Sequence, residues 1–354
     1  EPNELPGCST PQSETNKAWN GKSSQRFPPL HSQRYKVTTI SMRIVFMGTP
    51  EFAVPSLEAL LKSEDQVVGI VTQPDRPKGR GQELAPPPIK LIAQRANIPL
   101  LQPLKIRTPD FLEALAAWQP DLIAVTAFGR ILHAPILSLP PRGCVNVHGS
   151  LLPKYRGAAP VQWAVINGET ETGITTMLMD EGMDTGPMLL QARLSILPED
   201  TAGSLAPRLA ELGGRLLVET IAQLKAGLLT AQQQDHAQAT MAPLLKKEDG
   251  LLDWTMSAQA LANRIRGLSP WPGAYTFHGQ ARWNIWNAVA VNEPTGDAPG
   301  TIVGVAKQSL RVATGNGLLE LLEIQTANSK RMPVGQFLSG HRIIPGDMLG
   351  AAAS

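Results

Sequence analysis

The feature that most constrains this chain is an alternation of short apolar runs with helix-type stripes, which starts at residue 42. Residues 121–127 (DLIAVTA) and 144–148 (CVNVH) are short, mostly apolar runs, as expected for strands that are covered on both faces. Residues 43–47 and 66–71 have the same character, with helical stripes placed between the runs. Strands that alternate with helices predict βαβ units and an α/β domain with a mostly parallel, Rossmann-like sheet.

The length of 354 residues favours two folded units. Two further predicted strands and a long amphipathic helix complete a first unit over residues 42–226. Residues 227–247 are rich in Gln and Ala with little periodicity, and we interpret them as a linker. Over residues 248–349, short runs separated by Gly, Pro, Asn and Asp predict a smaller β-barrel.

Residues 1–41 differ from the rest in being rich in Ser, Gln, Asn and Pro without apolar periodicity. Such a composition predicts a disordered N-terminal extension. Met42 opens MRIVFMGTPEF, which has the character of a natural start. A transit peptide is the alternative, although Glu1, Glu4 and Glu14 and the lack of a basic amphipathic helix disfavour it.

Several function classes are disfavoured by composition and spacing. The net charge of +2 gives no overall field that would indicate nucleic acid. The first strand ends in Gly48 without a G-x-G-x-x-G pattern, so NAD or ATP binding is not supported. Cys8 and Cys144 are far apart, the six histidines lack zinc-site spacing, and no apolar stretch is long enough for a membrane helix. We therefore expect no metal and no membrane, with Cys144 in the core.

Asn146 and His148 are two residues apart on a predicted strand, so alternation places both side chains on one face. An amide and an imidazole that point to the same place can donate hydrogen bonds to one developing oxyanion. The alternative is a pair of buried polar residues that the backbone satisfies.

Two loops add polar groups at predicted strand ends. Residues 179–186 (MDEGMDTG) supply Asp184, which could orient the imidazole or take a proton through water, although a simple turn is the alternative. Residues 72–88 form a long Gly- and Pro-rich loop carrying Arg76, Lys78 and Arg80, which could grip phosphates or be ordinary surface charge.

Together these segments resemble folate-dependent formyltransferases. The run from Asn146 to Pro160 (NVHGSLLPKYRGAAP) closely resembles the signature of that family. The segments TQPDRPKGRG (72–81), MDEGMDTG and SPWPG (269–273) occur in the order and spacing of the members that act on methionyl-tRNA. The resemblance spans residues 42 to about 349. It implies a second domain with an OB-type barrel that binds tRNA, and formyl transfer from 10-formyltetrahydrofolate to the α-amine of methionyl-initiator tRNA for translation initiation.

The resemblance also assigns residues. It implies Asn146, His148 and Asp184 as the catalytic group, and Arg76, Lys78 and Arg80 as contacts to tRNA. Folate-binding residues are implied at two segments: Ser150, Leu151, Leu152 and Pro153, and Phe128, Gly129, Arg130, Ile131 and Leu132. Gln82 and Glu83 depart from the pattern, since many relatives have lysines there. That departure lowers the phosphate grip expected of the loop.

Three rival functions remain open at this stage. The first is another formyltransferase with the same core, such as one acting on a nucleotide-linked amino sugar or the hydrolase part of a folate dehydrogenase. The second is a non-catalytic RNA-binding module, and the third is an NAD oxidoreductase. The matching polar residues disfavour the second, and the missing glycines disfavour the third. We expect a cytoplasmic bacterial enzyme that is a monomer, or an organellar one if residues 1–41 are a transit peptide.

Overall fold

A computed structural model describes residues 41–78 and 83–351 of the chain. The predicted disorder of residues 1–41 therefore lies, apart from Ser41, outside the described residues. The described residues, 41–78 and 83–351, belong to one compact unit that contains two large β-sheets. Within the described residues, no helix has the length and apolar character needed to span a bilayer.

The first sheet region has strands separated by helices, as the alternation predicts. Its strands are β1 (Arg43–Gly48), β2 (Gln66–Val71), β3 (Arg76–Lys78), β4 (Glu83–Ala85), β5 (Leu100–Leu101), β6 (Leu122–Thr126), β7 (Cys144–His148), β8 (Glu171–Leu178) and β9 (Met188–Ser195). Its helices are α1 (Val54–Leu61), α2 (Pro88–Arg95), α3 (Pro109–Ala117), α4 (Ala134–Leu137), α5 (Pro160–Ile166) and α6 (Ala202–Lys225).

Seven of these strands form one sheet in the order β5-β2-β1-β6-β7-β8-β9. The first five are parallel to their neighbours, whereas β8 and β9 are added antiparallel. Ile44 and Phe46 are buried in a cluster on one face of β1, and Val45 and Met47 in a cluster on the other. Burial on both faces explains why the strand is a continuous apolar run. The predicted mostly parallel sheet is confirmed.

Helix α6 packs against this sheet and is fixed at its start by a network of polar side chains. Thr201 caps the helix by accepting from the Ser204 N–H, and the Ser204 hydroxyl bonds back to the Thr201 N–H. The buried Asp200 accepts from the Ser204 hydroxyl, from the Leu197 N–H and from Arg208. Farther along, a Cβ at Gly214 would lie 2.6 Å from the Pro55 carbonyl oxygen, so glycine allows the helix to approach α1 closely.

The second region forms an antiparallel sheet with two helices: α7 (Ala258–Leu268) and α8 (Val334–Leu338). Its strands are β10 (Ala274–His278), β11 (Ala281–Val291), β12 (Ile302–Val305), β13 (Leu310–Ala313), β14 (Leu318–Thr326), β15 (Met332–Pro333) and β16 (Leu349–Gly350). The strand order is β12-β13-β14-β11-β10-β16, with β15 beside β14. The Ser257 hydroxyl caps α7 by accepting from the Ala260 N–H.

The two ends of this sheet meet, which makes it a barrel. Thr301, next to β12, pairs antiparallel with Met348, next to β16. The Leu349 N–H donates to the Gly300 carbonyl at 2.8 Å. Gly300 has φ 92°, and a Cβ there would lie 2.3 Å from the Leu349 carbonyl oxygen, so glycine permits this closure. The predicted fold class, an α/β domain followed by a smaller OB-type barrel, is confirmed.

The segment predicted as a linker, residues 227–247, packs along the first region. Gln232 forms an antiparallel bridge with Met188, and Met241 a parallel bridge with Arg156. Ala242 is fully buried in the first core. This connector, as we call residues 227–247, therefore contributes structure to the first region, which its composition did not predict. The exact division into domains stays a prediction.

Candidate active site

A cavity of about 690 Å³ opens at the carboxyl ends of the central strands. Its walls come from the end of β6 and the loop after it, from the end of β7, and from the loop after β8. Lining residues that matter below are Phe128, Gly129, Arg130, Ile131, Leu132, Asn146, His148, Gly157, Met177, Met183 and Asp184. In open α/β sheets, ligands bind beyond the carboxyl ends of the strands, so the position is that of a substrate site. The volume is in the range of small-molecule pockets.

Asn146, His148 and Asp184 meet in this cavity. The Asp184 carboxylate lies 3.6 Å from His148 Nδ1 through Oδ2 and 3.5 Å from Asn146 Nδ2 through Oδ1. Both strand residues point to the same side of β7, as alternation requires. His148 is only 5% exposed, so its interactions take place largely away from solvent. An amide can donate two hydrogen bonds, so Asn146 has one hydrogen beyond the one directed at Asp184.

The tautomer of His148 is set by Nε2, the ring nitrogen that does not face Asp184. Nε2 lies 2.9 Å from the carbonyl oxygen of Tyr155. A carbonyl only accepts, so Nε2 carries a hydrogen. In the neutral ring, the nitrogen without a hydrogen is therefore Nδ1, which faces Asp184.

Asp184 is held in an unusual conformation. Its backbone has φ 54°, in the left-handed region that Asp tolerates better than most residues. Its Oδ2 accepts from the Gly157 N–H at 2.8 Å. The carboxylate is thus fixed before substrate binds.

Residues 128–132 form one wall of the cavity. The Phe128 carbonyl accepts from Gln73 Nε2 at 2.8 Å and from the Thr49 hydroxyl at 3.2 Å. Arg130 turns outward and donates to the Leu104 carbonyl. Ile131 is 57% exposed at the rim, whereas Phe128 and Leu132 are buried. The predicted folate-binding segment 128–132 therefore lines the same cavity as the three polar residues.

The other predicted folate segment, residues 150–153, is absent from the lining of this described cavity. Ser150 is fully buried and donates to the Lys154 carbonyl. The Leu152 N–H donates to the Thr175 hydroxyl, and the Leu152 carbonyl accepts from Gln191. These contacts to β8 and β9 shape the loop after β7, so a direct folate contact stays a prediction without support from the cavity.

The predicted tRNA-binding loop folds in part as a hairpin in which β3 pairs antiparallel with β4. Arg76 is exposed and donates to Gln73, and Lys78 pairs through its backbone with Glu83. Arg80 lies outside the described residues. At the base of the hairpin, the hydrogen bond from Lys90 lowers the pKa of Asp75, which keeps this ion pair charged.

Other titratable groups are structural. Burial raises the pKa of Cys144 to about 12, in agreement with its predicted place in the core. Burial likewise raises the pKa of Tyr155 to about 12, so its hydroxyl remains a donor to Glu169. No cluster of three or more His, Cys, Asp or Glu with metal-binding geometry occurs within residues 41–78 and 83–351.

Gln234 and Arg156 are site residues that the sequence reasoning missed. Gln234 belongs to the connector, yet its buried side chain donates to the carbonyl of Asp184. Arg156 lies within the quoted signature but received no role. A lone Gln in a polar segment without periodicity carries no recognisable signal.

Comparison with known proteins decides the family. The sequence profile of the formyl transferase domain matches residues 42–221, and that of the formyl transferase C-terminal domain matches residues 244–342. The methionyl-tRNA formyltransferase of Desulfotalea psychrophila is 55% identical over 303 residues, which cover 86% of this chain and 94% of that protein. The chain belongs to the methionyl-tRNA formyltransferase family. Another member of this family, from Geobacter sulfurreducens, is 50% identical over 313 residues, covering 88% of this chain and 98% of that protein.

Solved structures share the family fold at lower identity. A sugar 3N-formyl transferase crystallised in the presence of dTDP and 5-N-formyl-THF has a TM-score of 0.59 at 18% identity, covering 82% of this chain and 99% of that chain. The N-formyltransferase of Helicobacter canadensis, in complex with folinic acid and dTDP-3-aminofucose, has a TM-score of 0.60 at 18% identity, covering 82% and 100%. At such low identity, these comparisons show only a shared fold.

Proposed function

We propose that this protein transfers the formyl group of 10-formyltetrahydrofolate to the α-amine of methionyl-initiator tRNA, with Asn146, His148 and Asp184 as catalytic residues. The observation that carries the proposal is the meeting of these three side chains in one cavity of a chain from the methionyl-tRNA formyltransferase family. An amide, an imidazole and a carboxylate are sufficient for acyl transfer between nitrogens, because the reaction requires oxyanion stabilisation and proton movement.

Asn146 and His148 stabilise the negative charge that forms on the formyl oxygen when the neutral amine attacks. Asn146 supplies an amide hydrogen, and His148 supplies Nδ1–H when both ring nitrogens are protonated. Donors fixed in a largely water-excluded site are already oriented and need little rearrangement during the reaction. Their rigid positions on β7 supply that orientation.

Asp184 stabilises the positive charge and receives the proton. Its carboxylate stabilises a protonated His148, and it accepts the proton that the attacking amine loses, directly or through water. The proton from the Asp184–His148 pair then returns to the folate nitrogen when the carbon–nitrogen bond breaks. The step balances, since one proton leaves the amine and one arrives at the departing nitrogen.

Binding of the two substrates is divided between the cavity and the hairpin. The apolar wall of residues 128–132, with its fixed backbone carbonyls, suits the flat ring system of the folate donor. Arg76, Lys78 and Arg80 are proposed to bind phosphates of the tRNA acceptor end. The bacterial origin of the relatives supports a cytoplasmic location, and we expect the protein to act as a monomer.

The decisive experiment offers purified protein formyl-labelled 10-formyltetrahydrofolate with three acceptors in parallel: methionyl-initiator tRNA, free methionine and an amino-sugar nucleotide. We expect label on the charged tRNA alone. Label on the sugar nucleotide, or release of free formate without transfer, would be consistent with the formyl chemistry proposed for the first region. Either result would contradict methionyl-tRNA as the acceptor.

A further inference from the structure

The side-chain amide of Gln234, in the connector, makes four hydrogen bonds: two to the loop after β8, which carries Asp184, and two to Arg156 in the loop after β7. Its Nε2 donates to the carbonyl of Asp184 at 2.9 Å and to that of Gly186 at 2.7 Å. Its Oε1 accepts from Nε of Arg156 at 3.1 Å and from Nη2 at 2.7 Å. Both hydrogens and both lone pairs of the amide are therefore used. The side chain is 4% exposed, so water does not compete for these bonds.

Arg156 fixes which way this amide points. A guanidinium only donates, so the oxygen of Gln234 must face Arg156 and the nitrogen must face the two carbonyls. Arg156 is itself 6% exposed and donates also to Nδ1 of His236 at 3.1 Å. Its backbone pairs with Thr240 and Ala242 of the connector at 2.8 and 2.7 Å. The buried guanidinium of Arg156 is thus fixed by hydrogen bonds from its side chain and from its backbone.

Three consecutive residues of the loop after β7 contact or position His148 and Asp184. The carbonyl of Tyr155 accepts from His148. The side chain of Arg156 acts on the backbone of Asp184 through Gln234. The N–H of Gly157 donates to the Asp184 carboxylate. Asp184 is therefore held at both its backbone carbonyl and its side-chain carboxylate.

This holding matters because Asp184 occupies the left-handed region at φ 54°. Other backbone conformations are lower in energy for a residue with a side chain. A change in the backbone of Asp184 would turn its carboxylate away from Asn146 and His148. The bonds from Gln234 to the carbonyls of Asp184 and Gly186 oppose that change.

We propose that Gln234, oriented by Arg156, is a positioning residue that fixes the Asp184 carboxylate for formyl transfer. The proposal rests on the proposed function, in which Asp184 is catalytic. It assigns to the connector a direct part in the activity of the first region.

The test is Gln234→Glu, because glutamate keeps the shape and still accepts from Arg156, whereas the oxygen that replaces Nε2 cannot donate to the carbonyls of Asp184 and Gly186 and repels them. We expect kcat to fall by about 10- to 100-fold, since a displacement of about 1 Å at a catalytic group costs on the order of 100-fold. The KM for each substrate should stay within about threefold, because Gln234 is not among the residues that line the cavity.

Two controls separate positioning from general damage. Gln233→Glu makes the same charge change at an exposed neighbour and should leave kcat unchanged. Thr220→Val removes a buried hydroxyl of α6 that bonds to Thr176 of β8. It should therefore lower the melting temperature without lowering kcat. Should Gln234→Glu lose stability, a kcat well below that of an equally destabilised Thr220→Val still supports positioning.

A double-mutant cycle with Asp184→Asn completes the test. If Gln234 acts through Asp184, adding Gln234→Glu to Asp184→Asn lowers kcat by less than about threefold further. A full multiplicative loss, or a wild-type kcat for Gln234→Glu alone, overturns the inference. Wild-type turnover of Asp184→Asn would instead overturn the catalytic assignment in the proposed function, so the two failures are distinguishable.

Discussion

Substituting Gly157 with alanine tests whether the loop after β7 holds the catalytic carboxylate. Gly157 has φ 119°, which side chains rarely permit. An added Cβ would lie 2.7 Å from the Ala242 carbonyl oxygen, whereas an ordinary contact begins near 3.4 Å. One of the two backbones must therefore retreat by the difference, 0.7 Å. Ala242 is fully buried, so the loop bearing Gly157 is the part expected to move.

That retreat would stretch the hydrogen bond from the Gly157 N–H to Asp184 Oδ2, now 2.8 Å, towards about 3.5 Å, where such bonds contribute little. We expect kcat to fall by about 10- to 100-fold from displacement of the carboxylate. Backbone strain should lower the free energy of unfolding by about 1–3 kcal/mol.

Single-turnover formylation at saturating substrates, with urea unfolding of the same preparations, measures both effects. Gly227→Ala is the matched control. Gly227 also has positive φ (67°), but among the described residues, its chain neighbours aside, no atom lies within 4 Å of its Cβ position. It should lose stability without losing turnover. A folded Gly157→Ala protein with turnover within about threefold of wild type would refute the reasoning.

Further substitutions test the other assignments. His148→Ala should lower kcat by about 10²–10³-fold with little change in folate affinity, whereas alanine at His278, which pairs with Asp347 outside the cavity, should not; equal kcat for both variants removes His148 from the mechanism. Arg80→Ala should weaken tRNA binding and make it less dependent on salt while the KM for the folate donor stays constant, and an unchanged salt dependence would argue against a phosphate contact. Asp200→Asn should lower the free energy of unfolding by about 1–3 kcal/mol at neutral pH, since Asp200 loses charge-assisted hydrogen bonds. Burial works to raise the pKa of Asp200, but its hydrogen bonds lower it below 3.8, so this stabilisation is present above that pH and is lost as pH falls through the lower, folded-state pKa; a destabilisation that persists in acid would contradict this.

The sequence predicted those parts of the fold in which one physical pattern dominates. Strand β7 matches its predicted bounds because a short, mostly apolar run between Gly143 and Gly149 is typical of a buried strand. By contrast, the β3–β4 hairpin was missed because each strand has only three residues, too few to show alternating polarity. Helix α5 was missed because it has only seven residues, too few to show a clear helical stripe, and only its first residue, Pro160, falls within the quoted signature.

The site was predictable to the extent that local spacing encodes it. Asn146 and His148 share a strand, so their common face follows from alternation alone. Asp184 is distant in sequence. Its place at a predicted strand end allowed a role beside the imidazole but did not exclude a simple turn, and the resemblance then assigned it to the catalytic group. Gln234 could not be found, because its role depends on a tertiary contact that puts an irregular segment beside the active-site loop. Side chains that act through another residue leave no periodic trace in a single sequence.

The geometry also explains why the catalytic carboxylate sits on a loop and not on the sheet. A strand would direct successive side chains to opposite faces, so β7 can supply Asn146 and His148 but not a group that lies beside both. The loop after β8 reaches that point only by taking Asp184 into the left-handed region, at a cost of the order of 1–3 kcal/mol. Hydrogen bonds from the Gly157 N–H and from Gln234 oppose relaxation to a more common conformation. Because those donors come from the chain itself, the strain is maintained without substrate, and the carboxylate is oriented before the amine arrives.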